Sequence, residues 1–342
     1  MSMKNRLTIL SLAFLAVIFT VVSCKDEAKP EPIAQETEKD APPRQKVNVP
    51  PFQADSAYAF IEKQLSFGPR NPNSSGHKQC KEWLHDAMSQ WADEVILQDF
   101  KAQTYRGESF DATNIIGVFN PDATMRIVLA AHWDTRFIAD YDPDESRQEE
   151  PIPGADDGAS GVGVLLEIAR NLKAFPIELG VDIIFFDAED QGDNSGRNSE
   201  SWCLGAQHWA RNPHKKGYTA EFGILLDMVG SKGARFTMEG FSMQFAPQLT
   251  NQIWNLAQSM GYGGYFVKTR TGPITDDHYF VNTIAKIPMT NIVNRPEDSQ
   301  TGFGWYWHTH SDNIDVINIP TLKAVGQVVL ATVYRTNNGT FM

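Results

Sequence analysis

The sequence predicts an α/β fold, a single domain with a central, mostly parallel (mixed) β-sheet flanked by helices. Residues 181–186, apart from Asp182, and residues 222–226 are apolar runs, which are typical of strands buried on both faces. Between the strands, apolar residues recur at helical spacing, as in residues 162–172. Strands that alternate with helices form parallel sheets, because each helix returns the chain to the end of the sheet at which the previous strand began.

The other elements follow from the same two periodicities. Two helices are predicted to open the domain, at 55–67 and 76–91, and three β-rich runs follow at 95–97, 114–119 and 126–131.

Four further helices are predicted along the chain. Ser160 is expected to cap the helix over residues 162–172. Three more helices are predicted at 203–211, 243–260 and 321–334.

Composition excludes one class of function. The chain has 30 Lys and Arg against 42 Asp and Glu, a net charge of −12, so nucleic acid is not an expected partner.

The acidic stretch 140–150 is predicted to be a solvated surface loop. Three cysteines cannot staple 342 residues, and we expect Cys80 and Cys203 to be buried free thiols.

The N-terminal segment is predicted to be a secretion signal. Lys4 and Arg6 precede an apolar run over 7–22 that ends in Ser23-Cys24, and this ending resembles a bacterial lipobox. An uncleaved membrane anchor is the alternative.

Three segments follow from that interpretation. Residues 1–23 form the signal peptide, residues 24–51 a disordered tether and residues 52–342 the catalytic domain. A lipid on Cys24 is then the only membrane contact, and it places the domain in the cell envelope, in the periplasm or at the cell surface.

Polar clusters follow three of the predicted strands. His132-Trp133-Asp134 comes directly after the third β-rich run, residues 187–190 follow the strand over 181–186, and Asp227 ends the next strand. The carboxyl ends of the strands in an open α/β sheet face one crevice. We therefore expect these clusters to converge.

Two loops add further candidate ligands. Asp157 lies in a glycine-flanked acid pair before a helix, and His308 lies in an aromatic loop before the last helix. A catalytic zinc takes three such oxygen and nitrogen ligands and keeps one position open. A cation also allows several acids to share one crevice.

The series of motifs resembles the zinc aminopeptidase clan (M28-like), and specifically its animal-type glutaminyl cyclases, which include bacterial members. The motifs, in order, are Ala131-His132-Trp133-Asp134, Gly154-Ala155-Asp156-Asp157, Phe185-Phe186-Asp187-Ala188-Glu189-Asp190, Leu225-Leu226-Asp227, Asp276-Asp277-His278 and Trp307-His308-Thr309.

The resemblance implies a zinc-dependent glutaminyl-peptide cyclotransferase. Such an enzyme converts the N-terminal glutamine of peptides and proteins to pyroglutamate and releases ammonia. The implied ligands of one zinc ion are Asp157, Asp190 and His308.

The resemblance also implies roles for five further residues. Glu189 is the implied general acid/base, with Asp227 and Asp277 in a hydrogen-bond network beside it. Trp307 and Phe303 are implied to line the substrate pocket.

Two positions depart from the family pattern. The family usually has Glu where this chain has Asp190, which is one methylene shorter. No tryptophan stands at the family spacing after Asp190, and Trp202 is the nearest candidate.

Two other functions remain open on the sequence. His132 and Asp227 could hold a second zinc bridged by Asp157, which defines a two-metal aminopeptidase. The aromatic loop over 303–307 and the acid pair Asp276-Asp277 favour the cyclase. The third possibility is a binding lipoprotein on a degenerate peptidase fold, against which the presence of Glu189 and His308 counts.

Overall fold

The structure, a computed structural model, describes residues 47–341. The predicted signal peptide, Cys24 and most of the predicted tether lie outside the described residues. The end of that tether contacts the domain: Val47 and Val49 pack against the core, and the Gln327 side chain donates a hydrogen bond to the Pro50 carbonyl. Within residues 47–341, no helix is long and apolar enough to cross a bilayer.

The predicted α/β architecture is confirmed. Eight strands occur in the described chain: β1 (Glu94–Gln103), β2 (Ser109–Phe119), β3 (Arg126–His132), β4 (Gly180–Phe186), β5 (Gly223–Asp227), β6 (Phe236–Met238), β7 (Phe266–Arg270) and β8 (Met289–Val293). The main sheet has the order β1-β2-β4-β3-β5-β8, and β6 and β7 form a separate pair. Strands β4, β3, β5 and β8 are parallel, whereas β1 and β2 pair antiparallel at one edge, so the sheet is mixed.

Helices cover both faces of this sheet. They are α1 (Ala54–Leu65), α2 (Ser75–Ser89), α3 (Ala159–Ala174), α4 (Leu204–Arg211), α5 (Gly240–Phe245), α6 (Pro247–Ser259), α7 (Asp277–Phe280) and α8 (Ile319–Asn337). Alternate residues of each strand enter different cores: Leu129 of β3 packs with α1, α3 and α8, whereas Val128 packs with α4 and α7. Because β4 and β5 are buried on both faces, their sequences are largely apolar.

Two local predictions are wrong. The helix expected over 243–260 is two helices, α5 and α6, because Pro247 has no N–H to continue α5 and instead starts α6. The helix α3 is not capped by Ser160. Its N-cap is Gly158 at φ 100°, and the Ser160 hydroxyl donates to the Asp156 carbonyl.

Glycine lets α3 begin directly over the strand ends. A Cβ on Gly161 would lie 2.3 Å from the Leu226 carbonyl oxygen, so only glycine permits this approach to β5. The loop before α3, which carries Asp157, is thereby held against the carboxyl ends of the strands.

Candidate active site

The polar clusters after β3, β4 and β5 converge as the sequence predicts. The clusters after β4 and β5 line a cavity of about 360 Å³ together with the loop before α3, the loop before α7 and the aromatic loop before α8. His132, at the end of β3, does not line the cavity but contacts the lining residues Asp157 and Asp227. The lining residues that carry chemistry are Asp157, Glu189, Asp190, Asp227, Asp276, Phe303, Trp307, His308 and Trp202.

Asp157, Asp190 and His308 form one compact cluster. His308 Nε2 lies 3.1 Å from Asp190 Oδ1 and 3.8 Å from Asp157 Oδ2, and all three side chains are buried. One ligand atom from each residue lies within 4.8 Å of the others.

The carboxylate oxygens of this cluster that lack hydrogen-bond partners fit a divalent cation. Within residues 47–341, Asp157 Oδ2 and Asp190 Oδ2 are buried without a hydrogen-bond partner. A buried carboxylate oxygen without a partner is costly, and a cation between two such oxygens removes that cost. Two carboxylates and one imidazole also match the ligand types of a catalytic site with an open position.

Two further aspartates hold the backbone of the ligand loops. The Asp134 carboxylate accepts hydrogen bonds from the amides of Glu189 (3.1 Å) and Asp190 (3.2 Å). The Asp312 carboxylate likewise accepts from the amides of Asp156 (2.8 Å) and Asp157 (3.0 Å). Both loops are therefore fixed before any ligand binds.

The candidate ligand His308 is oriented by Asp140. His308 Nδ1 lies 3.1 Å from Asp140 Oδ1, and the buried Arg136 guanidinium donates to both Asp140 oxygens at 2.8 Å. The prediction that residues 140–150 are simply a solvated loop is wrong at this end, because Asp140 turns inward to a charged partner. A carboxylate on the remote nitrogen of a metal-binding histidine fixes the ring and makes it a better ligand.

We expect Asp140→Asn to weaken metal binding by about 10- to 100-fold, because the amide lacks the charge that orients and polarises His308. Competition with a chelator measures this affinity. The matched change Asp122→Asn, at an exposed residue, should leave it unchanged. Equal affinities for the wild type and Asp140→Asn would rule out the role of Asp140.

A second triad lies beside the first and shares Asp157. His132 Nε2 lies 3.0 Å from Asp157 Oδ1 and 3.3 Å from Asp227 Oδ1. These three residues also bring ligand atoms within 4.8 Å of one another. The fold thus retains the residue set of the two-metal alternative.

Glu189 lies next to the cluster and reaches the cavity. Its carboxylate is partly exposed there, and it makes no ion pair within the described residues. Burial, reinforced by the nearby Asp190 and Asp276, raises the pKa of Glu189 well above its usual value. A raised pKa makes the ionised carboxylate a stronger base, which suits a group that accepts a proton from a substrate.

The network predicted beside Glu189 needs one correction. Asp277 does not reach the cavity lining: it opens α7, and both of its oxygens are buried without a partner in the described chain. Its neighbour Asp276 lines the cavity instead and accepts a hydrogen bond from Asn291 Nδ2. Asp227 does line the cavity, and burial raises its pKa to about 8.

The loop that carries Asp276 is held by a buried pair. His278 Nε2 lies 2.9 Å from Glu239 Oε2, and the Ile274 amide donates to Glu239 Oε1 at 2.9 Å. Burial by itself raises the pKa of Glu239, but the hydrogen bonds from His278 and from two backbone amides outweigh it and lower the pKa to about 2.

We expect Glu239→Gln to lower the free energy of unfolding at neutral pH by on the order of 3 kcal/mol. The pKa is lower in the folded state, so the stabilisation is full above the ordinary value of 4.5 and is lost as the pH falls towards about 2. Urea unfolding at neutral pH and at about pH 3 measures the gap between wild type and variant. The difference in free energy of unfolding between the wild type and Glu239→Gln should be smaller at about pH 3 than at neutral pH. An equal difference at both pH values would contradict this role of Glu239.

Aromatic side chains form a wall of the cavity beside Asp157, Asp190 and His308. The Phe303 and Trp307 rings lie 4.6 Å apart, and Trp307 stacks on His308. The Trp202 ring is stacked on His308 with a centroid distance of 6.1 Å, and the Arg136 guanidinium lies 4.8 Å from the centre of the Trp202 ring. The predicted pocket residues Phe303 and Trp307 therefore both line the cavity, together with the previously unassigned Trp202.

Backbone strain is concentrated at this site. Ala188, Cys203, Met228 and His308 all have φ between 49° and 58°, although none is glycine. Each such conformation costs on the order of 1–3 kcal/mol and persists only where the surroundings enforce it. Each of the four lies in, or directly beside, the residues that form the cavity.

The fold and the site together define a metal-dependent enzyme of the α/β exopeptidase type, with its centre at the carboxyl ends of a mixed sheet. The model of peptidase family M28 matches residues 114–333, and the chain belongs to that family.

Solved structures extend this result. The chain is 48% identical to a glutaminyl cyclase from Bacteroides thetaiotaomicron bound to N-acetylhistamine, with a TM-score of 0.82, over 84% of this chain and 99% of that one. It is 47% identical, with a TM-score of 0.82 and the same coverage, to a Zn-dependent exopeptidase from Parabacteroides distasonis.

A more distant relative is named as an aminopeptidase. The aminopeptidase YwaD of Bacillus subtilis is 27% identical over 299 residues, or 81% of this chain. The chain spans only 56% of that relative's length.

Proposed function

We propose that this protein is a zinc-dependent glutaminyl-peptide cyclotransferase, which converts an N-terminal glutamine to pyroglutamate and releases ammonia. The observation that carries the proposal is a single cavity in which Glu189 lies beside the triad Asp157, Asp190 and His308 under an aromatic wall. The similarity to bacterial glutaminyl cyclases supports it.

The triad would hold the zinc. Bound zinc supplies a Lewis acid that polarises a carbonyl oxygen of the substrate. Because Asp157, Asp190 and His308 are fixed by Asp312, Asp134 and Asp140 respectively, little reorganisation accompanies binding.

Glu189 moves the proton of the reaction. Its carboxylate accepts a proton from the α-amine of the substrate, the nitrogen attacks the γ-carbonyl carbon, and Glu189 returns the proton to the leaving ammonia. No water enters this sequence. One residue therefore serves first as base and then as acid.

The acids around Glu189 bind the amine. Asp227 and Asp276 line the cavity together with Glu189, where their oxygens would accept hydrogen bonds from the N–H groups of the neutral substrate amine. The rings of Trp202, Phe303 and Trp307 exclude water, and water is the competing nucleophile that would produce hydrolysis instead.

A peptide with N-terminal glutamine tests this reaction. Mass spectrometry should show loss of ammonia with every peptide bond intact, and the same peptide with N-terminal asparagine should be unchanged. Cleavage after the first residue would contradict the proposal.

An aminopeptidase is the second candidate, because His132, Asp157 and Asp227 form a second cluster of ligands. We propose one zinc per chain for the cyclase. Metal analysis of the purified protein distinguishes the two functions, since two zinc ions per chain would favour the peptidase.

A further inference from the structure

Glu189 is held in place by a cysteine. The Cys203 thiol donates a hydrogen bond to Glu189 Oε1 at 3.2 Å. No other side chain in the described part of the protein donates to this carboxylate, and Oε2 is therefore left free for a substrate.

The backbones of the two residues are joined as well. The Cys203 amide donates to the Glu189 carbonyl at 2.8 Å, and the Leu204 amide donates to the Ala188 carbonyl at 2.9 Å. Asp134 holds the Glu189 amide from the opposite side. The thiol therefore acts from a position that is fixed relative to the Glu189 backbone.

This position is maintained at a cost. Cys203 is fully buried and has φ 56°, in the left-handed region that disfavours residues with a side chain. It is the N-cap of α4, yet its side chain caps no amide of that helix. The side chain is turned to Glu189 instead, and capping therefore does not explain it.

A thiol suits this environment better than a cation would. Glu189 lies close to two other carboxylates, Asp190 and Asp276. A charged donor such as lysine would form an ion pair with Glu189 and lower its pKa, and Glu189 would then be a weaker base. A thiol is a neutral, weak donor that orients the carboxylate with little effect on its basicity. Burial raises the pKa of the Cys203 thiol well above its usual value, so the thiol keeps the proton that it donates.

We propose that Cys203 is a positioning residue for Glu189: its thiol fixes the carboxylate rotamer so that Oε2 faces the reacting amine. The proposal rests on the proposed function in one respect, the role of Glu189 as acid/base. Cys203 itself does not touch the substrate.

Two variants of Cys203 test the proposal on the full chain. We expect Cys203→Ala to lower kcat by about 10- to 100-fold, because a misplaced acid/base loses the reactive geometry. The KM and the zinc content should not change. Cys203→Ser should recover most of the lost kcat, because a hydroxyl can donate the same hydrogen bond.

The other buried cysteine supplies the control. Cys80 lies in α2 and is not one of the residues that line the cavity, so Cys80→Ala should keep the wild-type kcat. If Cys203→Ala does not fold, Cys203→Gly takes its place, since glycine accepts the positive φ without strain.

The results separate a positioning role from a structural one. Wild-type kcat in Cys203→Ala, equal losses in the Ala and Ser variants, or a loss that follows zinc content would each overturn the proposal. If the wild type releases amine from an alanyl substrate and no ammonia from a glutaminyl one, the proposed function is wrong. The variants are then compared on the alanyl substrate, because Glu189 is the acid/base of either reaction.

Discussion

Glu189→Gln is expected to abolish turnover while the metal site stays loaded. Glutamine has the same shape and can still accept the Cys203 hydrogen bond, but it cannot take a proton from the amine. Loss of a positioned acid/base lowers kcat by about 10²- to 10⁴-fold. Ammonia release under saturating substrate and zinc content of the same sample measure the two parts of the prediction.

The control for this variant is Glu178→Gln, the same change at an exposed residue remote from the cavity. It should behave as the wild type does. Substantial turnover by a Glu189→Gln protein that contains its full zinc would exclude Glu189 as the acid/base.

The second large effect is expected for His308→Asn, which should lose both zinc and activity. His308 supplies the one nitrogen ligand of the proposed triad. Asparagine tolerates the positive φ of this position, so the loss cannot be ascribed to backbone strain. Its side chain is too short to reach the same point, and a site with two carboxylates alone holds zinc weakly.

His310→Asn is the matched control. His310 lies two residues further on and pairs with Asp142 at 2.7 Å, outside the cluster. We expect it to retain zinc. Dialysis against a chelator followed by metal analysis compares the two variants, and full zinc in His308→Asn would show that the proposed ligand set is wrong.

The sequence predicts the sheet and its catalytic edge because both depend on local patterns. The apolar run before Asp187 marks β4 and its burial on both faces, and the polar residues that end β3, β4 and β5 mark the crevice. The family resemblance then gives the individual ligands. Those residues do meet at one cavity.

Contacts between distant segments are not visible in such patterns. Asp140 belongs to an acidic stretch, and only the fold brings it to His308, 168 residues away. Trp202 and Cys203 follow a polar loop whose path decides that they return to His308 and Glu189. No periodicity of the sequence encodes that path.

The choice between Asp276 and Asp277 fails for a different reason. Two adjacent acids at the start of a short helix differ in their surroundings, because Asp276 lines the cavity and Asp277 does not. Asp276 is the N-cap of α7 in extended conformation, and Asp277 is the first helical residue and turns inward. The Pro247 break between α5 and α6, in contrast, is a signal that the sequence does contain.

The most direct test of the account is a side-by-side assay of the purified protein with Gln-β-naphthylamide and Ala-β-naphthylamide. We expect ammonia from the glutaminyl substrate, no naphthylamine from either substrate, and loss of the ammonia signal in Glu189→Gln. Release of naphthylamine from the alanyl substrate without ammonia from the glutaminyl one would contradict it and identify an aminopeptidase.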